Sequence, residues 1–394
     1  MRRRELPRPR DAAGARRALR LRQHQARQDR RPDGGARDAR GGLAPRFQGD
    51  GRLHDRQLAR HGAGGDRGAG GGAGRSRRAA SAGRGSRASY TLRRRGRASA
   101  RCGALGMRTD MSRIVYVNGA FLPEEEAKVS IFDRGFLFAD AVYEVTPVMQ
   151  GRLVENAGHM KRLERSLGEL RMESPVPISE IAGLMKQLVE KNELWEGIVY
   201  LQVSRGAADR DFAFPKDAAP SLVMFTQEKP LEETNGSRLG IKVISTPDLR
   251  WARRDIKTTQ LLAPSMMKQA AKDQGKDDAW MVQDGFVTEG TSNNAFIVTR
   301  DGVIVTRQLT NDILHGITRA SVLRLAEEAQ MRFEERAFTI AEAQEAAEAF
   351  MTAASAFVTP VVEIDGAMIG DGKPGPIARR LREIYIASAL EAAE

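Results

Sequence analysis

The chain has 394 residues, with 63 Lys and Arg against 51 Asp and Glu and a formal net charge of +12. That excess is local: residues 1–110 hold 30 Arg, no Lys and nine acidic groups, a net +21, while the rest carries 33 basic and 42 acidic groups, a net −9. The acidic body gives no support for binding a polyanion, no apolar run is long enough to span a bilayer, and the single Cys102 lies in the basic segment, so the body has neither disulfide nor cysteine-based metal site.

Residues 1–110 are rich in Arg, Gly and Ala and lack sustained periodicity. Ordering them would cost roughly 1–2 kcal/mol per residue with little apolar surface to offset it, so disorder is expected. Three readings compete: an arginine-rich arm that binds nucleic acid, a targeting segment, or a start assigned too far upstream. Exclusive use of Arg over Lys resembles translated GC-rich non-coding DNA, with Met107 and Met111 as alternative starts. We favour this third reading. No signal-peptide pattern follows Met1 or Met111, and a cytoplasmic protein is expected.

The body opens with a short strand, Ile114-Val115-Tyr116-Val117, ending in an Asn118-Gly119 turn, and a second strand-like run at 128–131. Residues 141–145 alternate as a strand, with Tyr143 on the opposite face from Val142. Asn156 could cap the following helix, whose apolar stripe is Met160, Leu163, Leu167 and Leu170, with Arg162 and Glu164 on other faces. A helix over 179–192 and strands over 197–203 and 221–226 come next. The polar stretch 228–238 reads as a connection, which sets a small domain at 111–230 and a larger one at 231–394. In the second, strands are expected at 240–244, 279–282, 294–298, 303–305 and 349–352, and helices at 318–330 and 375–390. The class is α/β or mixed α+β, in two domains behind the basic segment.

Two residues 32 positions apart, Lys257 and Glu289, suggest chemistry. A lysine becomes a nucleophile when burial or a nearby cation lowers its pKa; Arg253 and Arg254 precede Lys257, and Leu261 and Leu262 follow it. A carboxylate such as Glu289 keeps a pyridine nitrogen protonated, and the ring then serves as an electron sink. Gly290 permits a tight turn, and Thr291, Ser292 and Asn294 supply donors. Gly316-Ile317-Thr318-Arg319 opens a helix whose free amides suit an anion, and Arg162 could add charge. Taken singly, each is more often an ordinary surface or capping residue. Together they meet the needs of pyridoxal phosphate.

The body resembles fold-type IV pyridoxal-phosphate enzymes, and among them is similar to the bacterial D-amino-acid (D-alanine) aminotransferases. The pieces that carry this are Asp133-Arg134-Gly135-Phe136-Leu137-Phe138-Ala139-Asp140-Ala141-Val142-Tyr143-Glu144, His159-Met160-Lys161-Arg162-Leu163, Asp255-Ile256-Lys257, Thr288-Glu289-Gly290-Thr291-Ser292-Asn293-Asn294 and Gly316-Ile317-Thr318-Arg319, in family order. The resemblance implies Lys257 as the Schiff-base lysine, Glu289 at the pyridine nitrogen, Arg162, Ile317 and Thr318 at the phosphate, and Ser292, Asn294 and Ser355 as further cofactor contacts. It implies a homodimer in which a loop of one subunit reaches the other's site, amino-acid and 2-oxo-acid substrates, and no metal, membrane or nucleic-acid partner. Tyr143 and Arg210 match substrate-carboxylate residues, but Phe212 stands where the family's Arg-x-His pair has histidine. The implied reaction is D-alanine with 2-oxoglutarate to pyruvate and D-glutamate. Branched-chain L-amino-acid aminotransferases, (R)-selective amine transaminases and aminodeoxychorismate lyases share the lysine and the glutamate. Nucleic-acid binding through the basic segment is the alternative of a different class.

Overall fold

The computed structural model describes residues 112–394, so the expectations about residues 1–110 lie outside the described residues. The body is mixed α/β, as expected, and is built on two sheets.

The first sheet is antiparallel, in the order β2-β1-β6-β5-β3-β4. Its strands are β1 (Ile114–Val117), β2 (Ala120–Pro123), β3 (Ala141–Met149), β4 (Arg152–Leu153), β5 (Glu196–Ser204) and β6 (Ser221–Glu228). β1 and β2 form a hairpin on Asn118-Gly119, both at positive φ, as a tight two-residue turn requires. The second strand expected at 128–131 does not form. That run has no neighbouring strand to pair with, and its apolar side chains Val129 and Ile131 are 49% and 69% exposed.

Helices α1 (Arg134–Phe138), α2 (Asn156–Glu169) and α3 (Ile178–Lys191) accompany this sheet. Leu163 and Leu167 of α2 and Ile181, Met185 and Leu188 of α3 pack on Val142, Val199, Leu201 and Met224 in one core. Asn156 does not cap α2. The preceding residue, Glu155, adopts the left-handed conformation and makes no side-chain cap, while Asn156 is buried and accepts from Thr146 Oγ1 at 3.5 Å. Arg162, expected away from the apolar stripe, is 8% exposed because its counter-charge lies inside.

The connection holds a short helix, α4 (Asn235–Leu239), started by a capping box between Thr234 and Ser237. Buried Arg382 staples this stretch by donating to the carbonyls of Leu231 (2.5 Å) and Glu232 (2.9 Å), and also to those of Ala356 (2.9 Å) and Val358 (2.7 Å).

The second sheet comprises β7 (Ile241–Pro247), β8 (Asp278–Gln283), β9 (Phe286–Gly290), β10 (Asn294–Val298), β11 (Ile304–Thr306), β12 (Phe333–Glu335), β13 (Glu348–Ala353), β14 (Phe357–Ile364) and β15 (Ala367–Met368). Its order is β12-β11-β10-β13-β14-β7-β8-β9, with β15 paired to β14. The sequence reading has no counterpart of β14, a central strand that carries Pro360 opposite Phe350 of β13, although proline is uncommon in such strands. Pairing with β7 starts at Val361, one residue past the proline. The helices are α5 (Leu262–Asp273), α6 (Ile317–Glu328), α7 (Ile340–Glu345) and α8 (Pro376–Glu391). Phe296, Phe350 and Val358 pack against Val322 and Leu325 of α6 and Leu381 and Tyr385 of α8.

This sheet cannot be flat. By hydrogen bonding, β9 and β10 are separated by β8, β7, β14 and β13, five steps of about 4.8 Å, or roughly 24 Å in a flat sheet. Yet three residues join them, and the Cα path from Gly290 to Asn294 reaches at most about 15 Å. The sheet curls so that β9 ends beside the start of β10, and Gly290 N donates to Asn293 O at 2.9 Å. Glu289 and Asn294 are brought together by this curl.

The α2 core contact should dominate the stability of the first sheet. Leu163→Ala, at a fully buried position, is expected to lower the unfolding free energy by about 2–5 kcal/mol in urea titration. A loss under about 1 kcal/mol would mean the helix is not held by this packing.

Candidate active site

The site lies where the second sheet's first crossover passes the first sheet. After β7 the chain runs through 255–259 beside the start of β3. Tyr143 N donates to Lys257 O (3.0 Å), Thr259 N donates to Ala141 O (3.1 Å), and Val142 bridges Thr258. Asp255, fully buried, fixes this segment by accepting from Arg253 Nε (2.9 Å) and Arg165 Nη2 (2.5 Å). Lys257 is thereby set into a cavity wall with Nζ 4.1 Å from the centroid of the Tyr143 ring. Among the described residues no carboxylate lies within ion-pair distance of this Nζ. Arg253 and Arg254, expected to act on Lys257, are committed elsewhere. Arg253 binds Asp255 and Glu169, and Arg254 binds Gln283 (2.7 Å) and approaches Asp248 (3.4 Å).

Glu289 closes β9 on another wall of the same cavity, 3% exposed. Its Oε2 accepts from Asn294 Nδ2 (2.9 Å) and Leu314 N (3.0 Å), and its Oε1 pairs with Arg250. Arg250 is clamped from behind by Asp248, at 2.7 Å and 3.0 Å, and Thr288 Oγ1 donates to the same Asp248 at 2.7 Å. Burial holds the Glu289 carboxyl above its ordinary range, and the Arg250 charge opposes that shift. Arg250 was not among the sequence candidates. The available signal was the rule that a buried carboxylate needs a counter-charge, but 39 positions separate the pair, so no spacing pattern names the partner.

A third wall is cationic and rich in donors. Gly316 precedes α6 with no side-chain cap, and Gly316, Ile317 and Thr318 line the cavity, so the first amides of α6 are available to an anion. Arg162 donates to Glu144 through Nε (2.8 Å) and Nη2 (2.6 Å) and to His315 O through Nη1 (3.0 Å), leaving one further N–H on each terminal nitrogen. Burial alone would raise the Glu144 carboxyl, but Arg162 and the His159 bond bring it down to about 2. Thr318 Oγ1, Thr352 Oγ1 and His159 Nε2 are buried without a hydrogen-bond partner among the described residues, and all three residues line the cavity. Sequence reasoning missed Thr352 and His159 in this wall and Glu144, which holds Arg162, although His159 and Glu144 fall inside the quoted motifs.

The remaining candidates divide. Ser292 and Ser355 line the cavity. Asn294 does too, but both of its amide hydrogens are used, on Glu289 and on Leu314 O (2.9 Å), so it positions Glu289. Arg210 does not line this cavity. It is exposed on a loop, over the rings of Phe138 (5.5 Å) and Phe212 (5.6 Å). That loop is held in shape by buried Arg134, which donates to Asp211 O at 2.6 Å and pairs with Asp140 at 2.7 Å.

Residues 141–364, more than half of the chain, match the family described as amino-transferase class IV. The chain is a class IV aminotransferase. It is 36% identical to the D-alanine aminotransferase of Staphylococcus aureus (strain MSSA476) over 272 residues, 68% of this chain and 95% of that protein. It is 38% identical to the D-alanine aminotransferase of Bacillus licheniformis over 270 residues, covering 68% and 94%. Among solved structures, the branched-chain amino acid aminotransferase of T.th. with pyridoxamine 5'-phosphate superposes with a TM-score of 0.66 at 28% identity, over 71% of this chain and 94% of that one.

Class IV aminotransferases depend on pyridoxal phosphate, and the walls of this one fit the group. The unpartnered Thr352 hydroxyl, the uncapped α6 amides and Arg162 suit a phosphate, Glu289 suits a ring nitrogen, and Lys257 stands free between them.

Glu144→Gln strips Arg162 of its buried counter-charge and should lower stability by roughly 3–5 kcal/mol. The Glu144 pKa is lowered in the folded state from 4.5 to about 2. Its contribution is therefore present above pH 4.5 and lost as pH falls toward 2. The difference between wild type and Glu144→Gln in urea melts should shrink across that window; a constant difference would refute the ion pair.

Proposed function

We propose that this aminotransferase acts on D-amino acids, taking D-alanine and 2-oxoglutarate to pyruvate and D-glutamate. The observation that carries the reading is Lys257 Nζ set 4.1 Å from the Tyr143 ring, in a cavity whose other walls hold Glu289 and Arg162. The likeness to two D-alanine aminotransferases along nearly their whole length supports this substrate.

Bound pyridoxal phosphate supplies the electron sink that makes the substrate's Cα proton acidic and carries the amino group between the two half-reactions. Lys257 Nζ takes that proton from Cα and returns it in the reverse half. Glu289 holds the proton on the ring nitrogen, with Arg250 and Asn294 fixing the carboxylate. Arg162, Ile317, Thr318, Ser292 and Ser355 hold the remaining cofactor atoms. Tyr143 orients the substrate carboxylate, which decides the face of Cα that meets Lys257.

Arg210 is assigned to the carboxylate as well, through a homodimer in which its loop serves the partner's cavity. Its absence from the cavity of its own chain and its fixed, exposed loop support this assignment. In this reading residues 111–230 and 231–394 are the two domains, and the enzyme works in the cytoplasm. Among the described residues no helix is long and apolar enough to cross a membrane.

One observation favours a second reading, branched-chain L-amino acids. Phe212, 78% exposed beside Arg210, replaces a polar carboxylate donor by an apolar ring, and the T.th. structure is a branched-chain enzyme.

Purified full-length protein with added pyridoxal phosphate should show a visible absorbance band that Lys257→Ala shifts or abolishes, with turnover falling at least about 10³-fold. With 2-oxoglutarate as acceptor, D-alanine should be turned over faster than L-leucine. Faster turnover of L-leucine would replace the first reading by the second, and a protein without any band would end both.

A further inference from the structure

His159, on α2, has no exposed surface. Its Nδ1 lies 2.8 Å from Glu144 Oε2. Two bonds from Arg162 keep that carboxylate ionised, and a carboxylate anion only accepts. Nδ1 therefore carries the hydrogen, and in the neutral imidazole Nε2 is a bare lone pair. Nε2 has no hydrogen-bond partner among the described residues, and His159 lines the same cavity as Arg162, Thr352 and the start of α6. Arg162, the α6 amides and the Thr318 and Thr352 hydroxyls beside it can all donate to an anion. A bare lone pair among them would repel the phosphate they attract.

One proton removes the conflict. With Nε2 protonated, the imidazolium lies between the Glu144 carboxylate and the phosphate and donates to both. We propose that binding of the phosphate-bearing cofactor takes up one proton, held between His159 Nε2 and a phosphate oxygen. This rests on the pyridoxal-phosphate reading of the cavity. The proton arrives with the anion because the imidazole is neutral before it. Burial, with the Arg162 charge, pushes His159 below its ordinary range, against the pull of Glu144. The charged groups that act on it are Glu144 from β3 and Arg162 and Glu155 from α2 and its start. Tyr385 of α8 donates to Glu155. The sign follows by linkage: a complex that holds an extra proton weakens as pH rises, by up to about tenfold in Kd per pH unit between the free and bound pKa values of His159.

The test is calorimetry on the full chain stripped of cofactor, titrated in two buffers of different ionisation enthalpy. Pyridoxamine 5'-phosphate is the probe, because it lacks the aldehyde and leaves Lys257 uninvolved. Pyridoxamine, without the phosphate, is the control. Uptake approaching one proton is expected with the phosphate ester and none with pyridoxamine. His159→Asn and His159→Gln should each abolish the uptake and flatten the dependence of Kd on pH. Wild type that binds the ester without proton uptake overturns the proposal and leaves the cofactor assignment standing. Equal uptake with pyridoxamine places the proton on the ring and also overturns it, as does uptake that survives in both variants. The wild-type arm decides even where the variants fail to fold. A chain that binds neither compound removes the cofactor assignment, and this proposal with it.

Discussion

The backbone hydrogen bond from Tyr143 N to Lys257 O, with Thr259 N to Ala141 O beside it, joins the crossover segment to the first sheet where chemistry is placed. It puts a residue of an antiparallel sheet and a residue of a crossover segment side by side, with the lysine amine over the tyrosine ring. The bond holds because both sides are fixed independently. β3 pairs with β5 along nine residues, and Asp255, just before the lysine, is gripped by arginines from its own segment and from α2. The lysine owes its position to backbone register. It owes its freedom to the lack, among the described residues, of a carboxylate near its amine.

The rest of the cavity is an arrangement of buried charge. Removing a carboxylate from water costs several kcal/mol unless a partner replaces the solvent. The buried acids around the cavity each have an arginine: Glu144 has Arg162, Glu289 has Arg250, Asp248 has Arg250 and Arg254, and Asp255 has Arg165 and Arg253. With these charges compensated, the groups left over set the character of the walls. Those include amides, the hydroxyls of Thr318 and Thr352, the spare N–H groups of Arg162 and an imidazole nitrogen.

Much of this was legible in the sequence, for identifiable reasons. Strands such as β5 and β10 announce themselves as apolar runs, and α2 by its stripe of Met160, Leu163 and Leu167, because periodicity reports which side is buried. Lys257 and Glu289 were readable as a constellation, since the cofactor constrains both. What stayed hidden depends on distant partners. Arg250 meets Glu289 only after the sheet curls. The strand expected at 128–131 had a plausible pattern but no neighbour to pair with. β14 has no counterpart in the sequence reading; it carries Pro360 opposite Phe350 of β13, and its pairing with β7 begins one residue later. Asn156 has the chemistry of a cap, yet Thr146 draws it inside.

Asn294 ties two ends of the cavity together. Its amide nitrogen donates to Glu289 and to Leu314 O, while its amide oxygen faces Gly316 so closely that a Cβ there would overlap it. One planar group thus spans from Glu289 to the turn that opens α6. A rigid amide cannot yield at one end without swinging at the other. The α6 end and the Glu289 end of the cavity are therefore mechanically one part, and a disturbance in the 314–317 turn is delivered to Glu289 as a change of angle.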